Sequence, residues 1–263
     1  MINIDYLKDF FPESVHNQRL HLLREYLQCV MLEILFESPI GRRLTFLGGT
    51  CLRIVYGSQR FSEDLDFDND GLTEIEFAKI KTLMEHELTL RGYEVEVGIK
   101  GKTAYRCEVK YPRMLYPQGI SSIKDEKLLI QIDTQAQNFD YQKERFILNR
   151  FGVLTELPVT PMSVILSQKC HAILDRPRNK GRDFFDVVYL LSRNIKPDYA
   201  YLEQKLGITT SEELKERVLN QWSSLNIQGQ IDDVQGFLFN QRDEKTIRLF
   251  GEIFRQADLK LNA

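Results

Sequence analysis

The chain has 263 residues, 43% of them hydrophobic and 28% charged, with a formal net charge of −3. This is an ordinary soluble globular composition with room for one large domain or two small ones. It excludes a uniformly basic surface for coating nucleic acid but leaves local basic patches open.

No apolar run reaches the roughly 18 residues of a membrane-spanning helix. The opening MINIDYLKDFFPE is acidic and lacks the basic-then-apolar order of a signal peptide. Cys29, Cys51, Cys107 and Cys170 are far apart in apolar surroundings, which reads as reduced core thiols. We expect a cytoplasmic protein with no membrane partner.

In chain order, apolar residues at Leu20, Leu23, Leu27, Met31, Ile34 and Leu35 keep helical spacing. They predict a helix over 16–38 closed by Ser38-Pro39. The run LTFL at 44–47 predicts a short buried strand, and 50–56 a short helix beginning at the glycines before it. Residues 64–68 alternate strictly, as a half-buried strand does. A helix over 73–91 opens with Thr73-Glu74-Ile75-Glu76, a capping-box pattern, and Gly92 follows its end.

Strands are expected at 93–99, 104–111 and 127–134. Beyond about residue 150, Pro158 and Pro161 punctuate and the remainder reads as helical. Thr160-Pro161 looks like a cap followed by a first-turn proline, opening a helix through SVILSQKCHAILD. The loop RPRNKG leads to a second helix, RDFFDVVYLLSR, and 198–260 predicts three or four more. The fold class is therefore α/β (α+β). A mixed sheet flanked by helices is expected over residues 1–155, and an all-helical domain completing the active-site cleft over 156–263.

Two features invite chemistry. Asp64 and Asp66 fall on one face of a strand, because side chains alternate with period two, and Asp68 joins them if the strand continues. Adjacent like charges repel by about 0.2–1 kcal/mol. Two adjacent carboxylates are also a minimal site for Mg²⁺, which prefers oxygen ligands and substrate phosphates; a solvated edge face is the plainer alternative. The run from Asp66 to Gly71 imitates the start of an EF-hand loop, but the twelfth position is Phe77 where that loop needs glutamate.

Gly48-Gly49-Thr50, between a strand and a helix, would present backbone N–H groups and a hydroxyl to a phosphate. A tight turn accounts for it equally well. The four histidines form no ligand spacing, and neither H-E-x-x-H nor G-x-S-x-G occurs.

The run Gly48-Gly49-Thr50-x-Leu52, followed by Arg60-x-Ser62-Glu63-Asp64-Leu65-Asp66-Phe67, resembles the signature of the DNA-polymerase-β-like nucleotidyltransferase superfamily. Within it the chain is most similar to the AbiEii toxins of type IV toxin–antitoxin and abortive-infection systems. Many superfamily members carry serine where this chain has Thr50, which keeps the hydroxyl.

The resemblance implies a third carboxylate on a later strand, and Asp133 in LLIQIDTQ fits. It implies a lysine and two aspartates in the helical half, matched by Lys169, Asp183 and Asp186. Asp183 and Asp186, three apart, would share a helix face, while Arg176, Arg178, Lys180 and Arg182 form a basic loop suited to a triphosphate or RNA backbone.

The implied activity is transfer of NMP from an NTP. Asp64, Asp66 and Asp133 would hold two Mg²⁺ ions, and Asp133 would help deprotonate the attacking hydroxyl. Gly48, Gly49, Thr50, Arg60, Lys169 and Arg182 would contact the nucleotide, with Asp183 and Asp186 positioning them. The implied acceptor is the 3′ end of tRNA, and a cognate antitoxin the implied partner. The alternatives are a nucleotide-binding module toxic through partner binding, and an antibiotic- or protein-modifying nucleotidyltransferase.

Overall fold

The computed structural model describes residues 3–100 and 105–260. The chain divides into two compact units: Met1–Gly57, Phe61–Asn138 and Lys143–Val159 in the first, and Ser58–Arg60, Phe139–Gln142 and Thr160–Ala263 in the second.

In the first unit, α1 (Ile4–Lys8) is capped by the Asn3 side chain. α2 (Arg19–Phe36) buries the expected stripe, including Leu23, Leu27, Met31, Ile34 and Leu35. β1 (Leu44–Leu47) runs directly into α3 (Gly48–Ile54), every residue of which is buried. β2 (Leu65–Asn69) begins one residue later than expected, so Asp64 stands just before the strand.

α4 (Glu74–Leu90) has its capping box formed, with Thr73 and Glu76 bonding reciprocally. β3 (Glu96–Lys100), β4 (Tyr105–Tyr111) and β5 (Leu128–Thr134) follow. Ala104, the expected start of the second of these, lies outside the described residues.

Two strands that the sequence reading passed over complete the sheet: β6 (Glu144–Arg150) and β7 (Val153–Val159). Pro158 had suggested the end of strand structure. β7 lies between β1 and β6, but β1 reaches it at a single register pair, Phe46 with Val159, so most of its β1-facing side carries no ladder for a proline to interrupt. Among the described residues the sheet has seven strands in the order β3-β4-β5-β2-β1-β7-β6, mixed parallel and antiparallel. Two pins bear on the centre. Asn69 donates to Thr134 at 3.0 Å, a buried bond between β2 and β5. Arg53 of α3 and Arg150 of β6 both bind the buried Glu25 of α2, at 2.9 and 2.6 Å.

The second unit is built on α5 (Met162–Asp175) and α6 (Gly181–Ser192), which pack together. Thr160 does not cap α5. Pro161 holds the cap position, and the Thr160 hydroxyl pairs with that of Tyr141 at 2.9 Å. The rest comprises α7 (Tyr199–Leu206), α8 (Ser211–Ser223), α9 (Ile227–Gln235), α10 (Lys245–Arg248) and α11 (Phe250–Gln256). Among the described residues these are five helices where three or four were expected, α10 and α11 being short.

Phe184, Trp222, Phe250 and Phe254 interlock at centroid distances of 4.8–5.4 Å in this unit's core. A Cβ at Gly181 would stand 1.8 Å from the Gln230 carbonyl oxygen, so only glycine lets α6 start this close to α9. Among the described residues no helix is long and apolar enough to cross a membrane.

Candidate functional site

Strand register builds one row of charged residues in the first unit. Antiparallel pairing sets Leu47 of β1 opposite Asp66 of β2. Parallel pairing sets Asp66 beside Asp133 of β5, and antiparallel pairing sets Asp133 opposite Arg106 of β4. Register partners share a face of the sheet, so Asp66, Asp133 and Arg106 lie side by side across three strands.

Arg106 grips Asp133 with both arms of its fork, Nε to Oδ1 at 2.7 Å and Nη2 to Oδ2 at 2.8 Å. That hydrogen bonding raises the guanidinium pKa, slight burial opposes it, and the charges of Asp133 and then Asp64 add to the rise. Asp68 continues the strand on the same face, and its Oδ1 accepts the Gln137 backbone N–H at 2.8 Å.

The glycine turn closes over this row. Gly48 has φ +81°, and a Cβ there would come within 2.3 Å of Asp66 Oδ2. The turn and the aspartate therefore fit only because residue 48 has no side chain. The Thr50 hydroxyl donates to the backbone carbonyl of Asp64. Its proton is thus committed to holding the aspartate segment against α3, where a phosphate contact had been expected. All three residues of Gly48-Gly49-Thr50 are buried.

The carboxylates are hard oxygen donors of the kind Mg²⁺ takes. Asp66 and Asp133 fit such an ion by chemistry and by placement, with Asp64 at the entry to β2. Among the described residues, however, no three His, Cys, Asp or Glu side chains converge as a ready-made metal set. Both oxygens of Asp133 are turned to Arg106.

A buried ionic network occupies the second unit. Arg60 donates from Nε and Nη2 to Asp186 at 2.7 and 2.6 Å. Lys169 of α5 bridges Asp183 at 2.9 Å and Asp186 at 2.8 Å, as the three-residue spacing on one face of α6 predicts. Arg176 closes the network on Asp183 at 2.5 Å. Arg60 is 2% exposed and Asp186 0%.

Burial disfavours the charge on Asp186, but Arg60 and then Lys169 outweigh it and hold the carboxyl below its ordinary value. Burial likewise works against the Lys169 ammonium, and Asp183 followed by Asp186 raises it. Arg182, expected with these residues, stands toward α9, 3.7 Å from Asp233 and stacked 4.6 Å over Phe237. Arg178 and Lys180 of the basic loop are exposed.

The sequence-predicted residues thus gather into two groups: Gly48, Gly49, Thr50, Asp64, Asp66 and Asp133 in the first unit, and Arg60, Lys169, Asp183 and Asp186 in the second. Arg106 was missed. It alternates with Glu108 and Lys110 in an unexceptional polar face of YRCEVKY, and only the β4–β5 register brings it to Asp133.

Comparison with known proteins supplies the rest. JHP933 from Helicobacter pylori aligns with a TM-score of 0.52 at 18% identity, over 89% of this chain and 90% of its own. A second H. pylori structure, of a candidate nucleotidyltransferase, aligns at 0.53 with 19% identity, over 93% and 95%. At these identities the likeness carries the fold alone. No curated protein matches the sequence. The family model for the nucleotidyl transferase AbiEii toxin, type IV TA system, matches residues 30–249. With that match spanning both the aspartate row and the buried ionic network, the chain belongs to the AbiEii nucleotidyl transferase toxin family.

Proposed function

We propose that the protein is a Mg²⁺-dependent transferase that moves NMP from an NTP onto the 3′ end of tRNA. The observation that carries the reading is the register pair Asp66–Asp133 beside the side-chain-free turn at Gly48. It lies in a chain whose family is defined by nucleotidyl transfer.

Asp66 and Asp133, with Asp64, are the residues that would hold the metal. When bound, the metal would supply charge neutralisation of the triphosphate. The chain's own contributions are separable. Gly48 and Gly49 admit the phosphates close to the backbone beside Asp66. Asp133 takes the proton of the attacking acceptor hydroxyl. In the second unit, Asp183 and Asp186 hold the Lys169 ammonium charged and fixed, which suits it to a phosphate. Arg60 secures Asp186 from the other side.

The exposed Arg178 and Lys180, on a loop with Arg176, support a polyanionic acceptor such as RNA. The family also suggests an antitoxin partner, encoded to restrain this activity.

The test incubates the protein with each α-labelled NTP, Mg²⁺ and total RNA. Label should enter the tRNA fraction and should vanish with Asp66→Asn, with circular dichroism verifying that the variant is folded. Label in protein would replace the acceptor. Binding of NTP with no transfer to any acceptor would replace the enzyme with a nucleotide-binding module.

A further inference from the structure

The clasp between Arg106 and Asp133 has no part in the chemistry described above. It joins register partners on adjacent strands, and both nitrogens that face the carboxylate are engaged. Asp133 also stands beside Asp66, so two like charges share one face of the sheet. The guanidinium offsets that repulsion.

A divalent ion shared by Asp66 and Asp133 needs an oxygen of Asp133, and both are in use. It would also lie near a fixed positive charge. Arg106 is 48% exposed and Asp133 27%, so water screens the pair and its exchange for a dication is easy.

We infer that Arg106 is an internal counter-ion that holds Asp133 in the metal-free protein and competes with the divalent ion for its carboxylate. The inference rests on the metal-site reading of Asp66 and Asp133. Metal entry then requires the guanidinium to swing away, and its planar fork, once released, matches phosphate oxygens. Arg106 is thus a positioning residue that sets how tightly the metal binds.

The probe is Mn²⁺, titrated calorimetrically into the full-length wild type and into Arg106→Gln, Arg106→Lys and Asp66→Asn. Arg106→Gln should bind Mn²⁺ about five-fold tighter, the effect of deleting one competing exposed ion pair. Arg106→Lys keeps the charge but loses the fork, and should fall between that variant and the wild type. A residue with a purely structural role would not raise metal affinity when removed.

Equal or weaker binding by Arg106→Gln, with Asp66→Asn clearly weakened, overturns this inference and leaves the metal site standing. Equal binding by Asp66→Asn and the wild type overturns the metal-site reading, and this inference with it. Circular dichroism melts verify folding. If Arg106→Gln does not fold, the comparison of Arg106→Lys with the wild type decides by the same signs.

Discussion

A single methyl group separates a working turn from a blocked one at position 48. Alanine there must adopt φ near +81° and place its Cβ 2.3 Å from the Asp66 carboxylate. The left-handed conformation alone disfavours alanine by about 1–2 kcal/mol, and the clash displaces Asp66 or the turn. Gly48→Ala should therefore lose stability by at least that amount in urea denaturation and lose NMP transfer with it. A variant as active as the wild type would separate the turn from the chemistry.

Asp186 makes the second residue-scale prediction. Asn in its place leaves Arg60 and Lys169 buried with one carboxylate fewer, and breaking a buried pair costs about 3–5 kcal/mol. The loss should be pH-dependent, because Arg60 and Lys169 depress the carboxyl in the folded state against the opposing effect of burial. A depressed carboxylate adds stability above about pH 4, where the unfolded group is ionised, and that stability fades as pH falls through the lower folded value. The gap in unfolding free energy between wild type and Asp186→Asn should narrow on acidification below about pH 4. A constant gap would show that charge is not what Asp186 contributes.

At the scale of elements, α4 is the clearest case of local sequence dictating local structure. Thr73 and Glu76 satisfy each other's backbone N–H groups. Thr73→Ala should remove about 1 kcal/mol of protection from the first turn of α4, measured by amide hydrogen exchange, with no change in transfer activity. Elements of this kind were legible without coordinates: the α2 stripe, the LTFL strand running into a glycine turn, and the alternation of Asp66 and Asp68 with Leu65 and Phe67.

Elements defined by their partners were not. β6 and β7 reveal themselves only as a paired hairpin, and Pro158 masked the second. Arg106 gains its meaning from a register that no local pattern encodes. Thr50 was expected to contact a phosphate, but its hydroxyl turns to the Asp64 carbonyl because the chain folds back at a point 14 residues on.

At the scale of the whole molecule, the two units are not consecutive in the chain. Ser58–Arg60 and Phe139–Gln142 belong with the helices although residues of the first unit flank both. A fragment starting at Thr160 would keep Lys169, Asp183 and Asp186 but lack Arg60, the bidentate partner of a fully buried carboxylate. It would lack Tyr141 as well, whose hydroxyl meets Thr160. Such a fragment should be poorly folded by circular dichroism and by the dispersion of its amide proton resonances. A well-folded 160–263 fragment would show that the two inserted segments are dispensable.

The bond between Arg60 and Asp186 spans 126 residues of sequence, and this sets an order of events during synthesis. Arg60 leaves the ribosome long before its carboxylate exists. At about 5–20 residues per second, roughly 6–25 seconds of translation separate the two. Until Asp186 emerges, the second unit cannot close around its own ionic centre, whereas β1, α3 and β2 are already made. A ribosome that terminates after β5 but before Asp186 releases a chain with the aspartate row but without the complete lysine network. On the proposed role of Lys169, transfer activity is thereby deferred until more than two-thirds of the chain has been made.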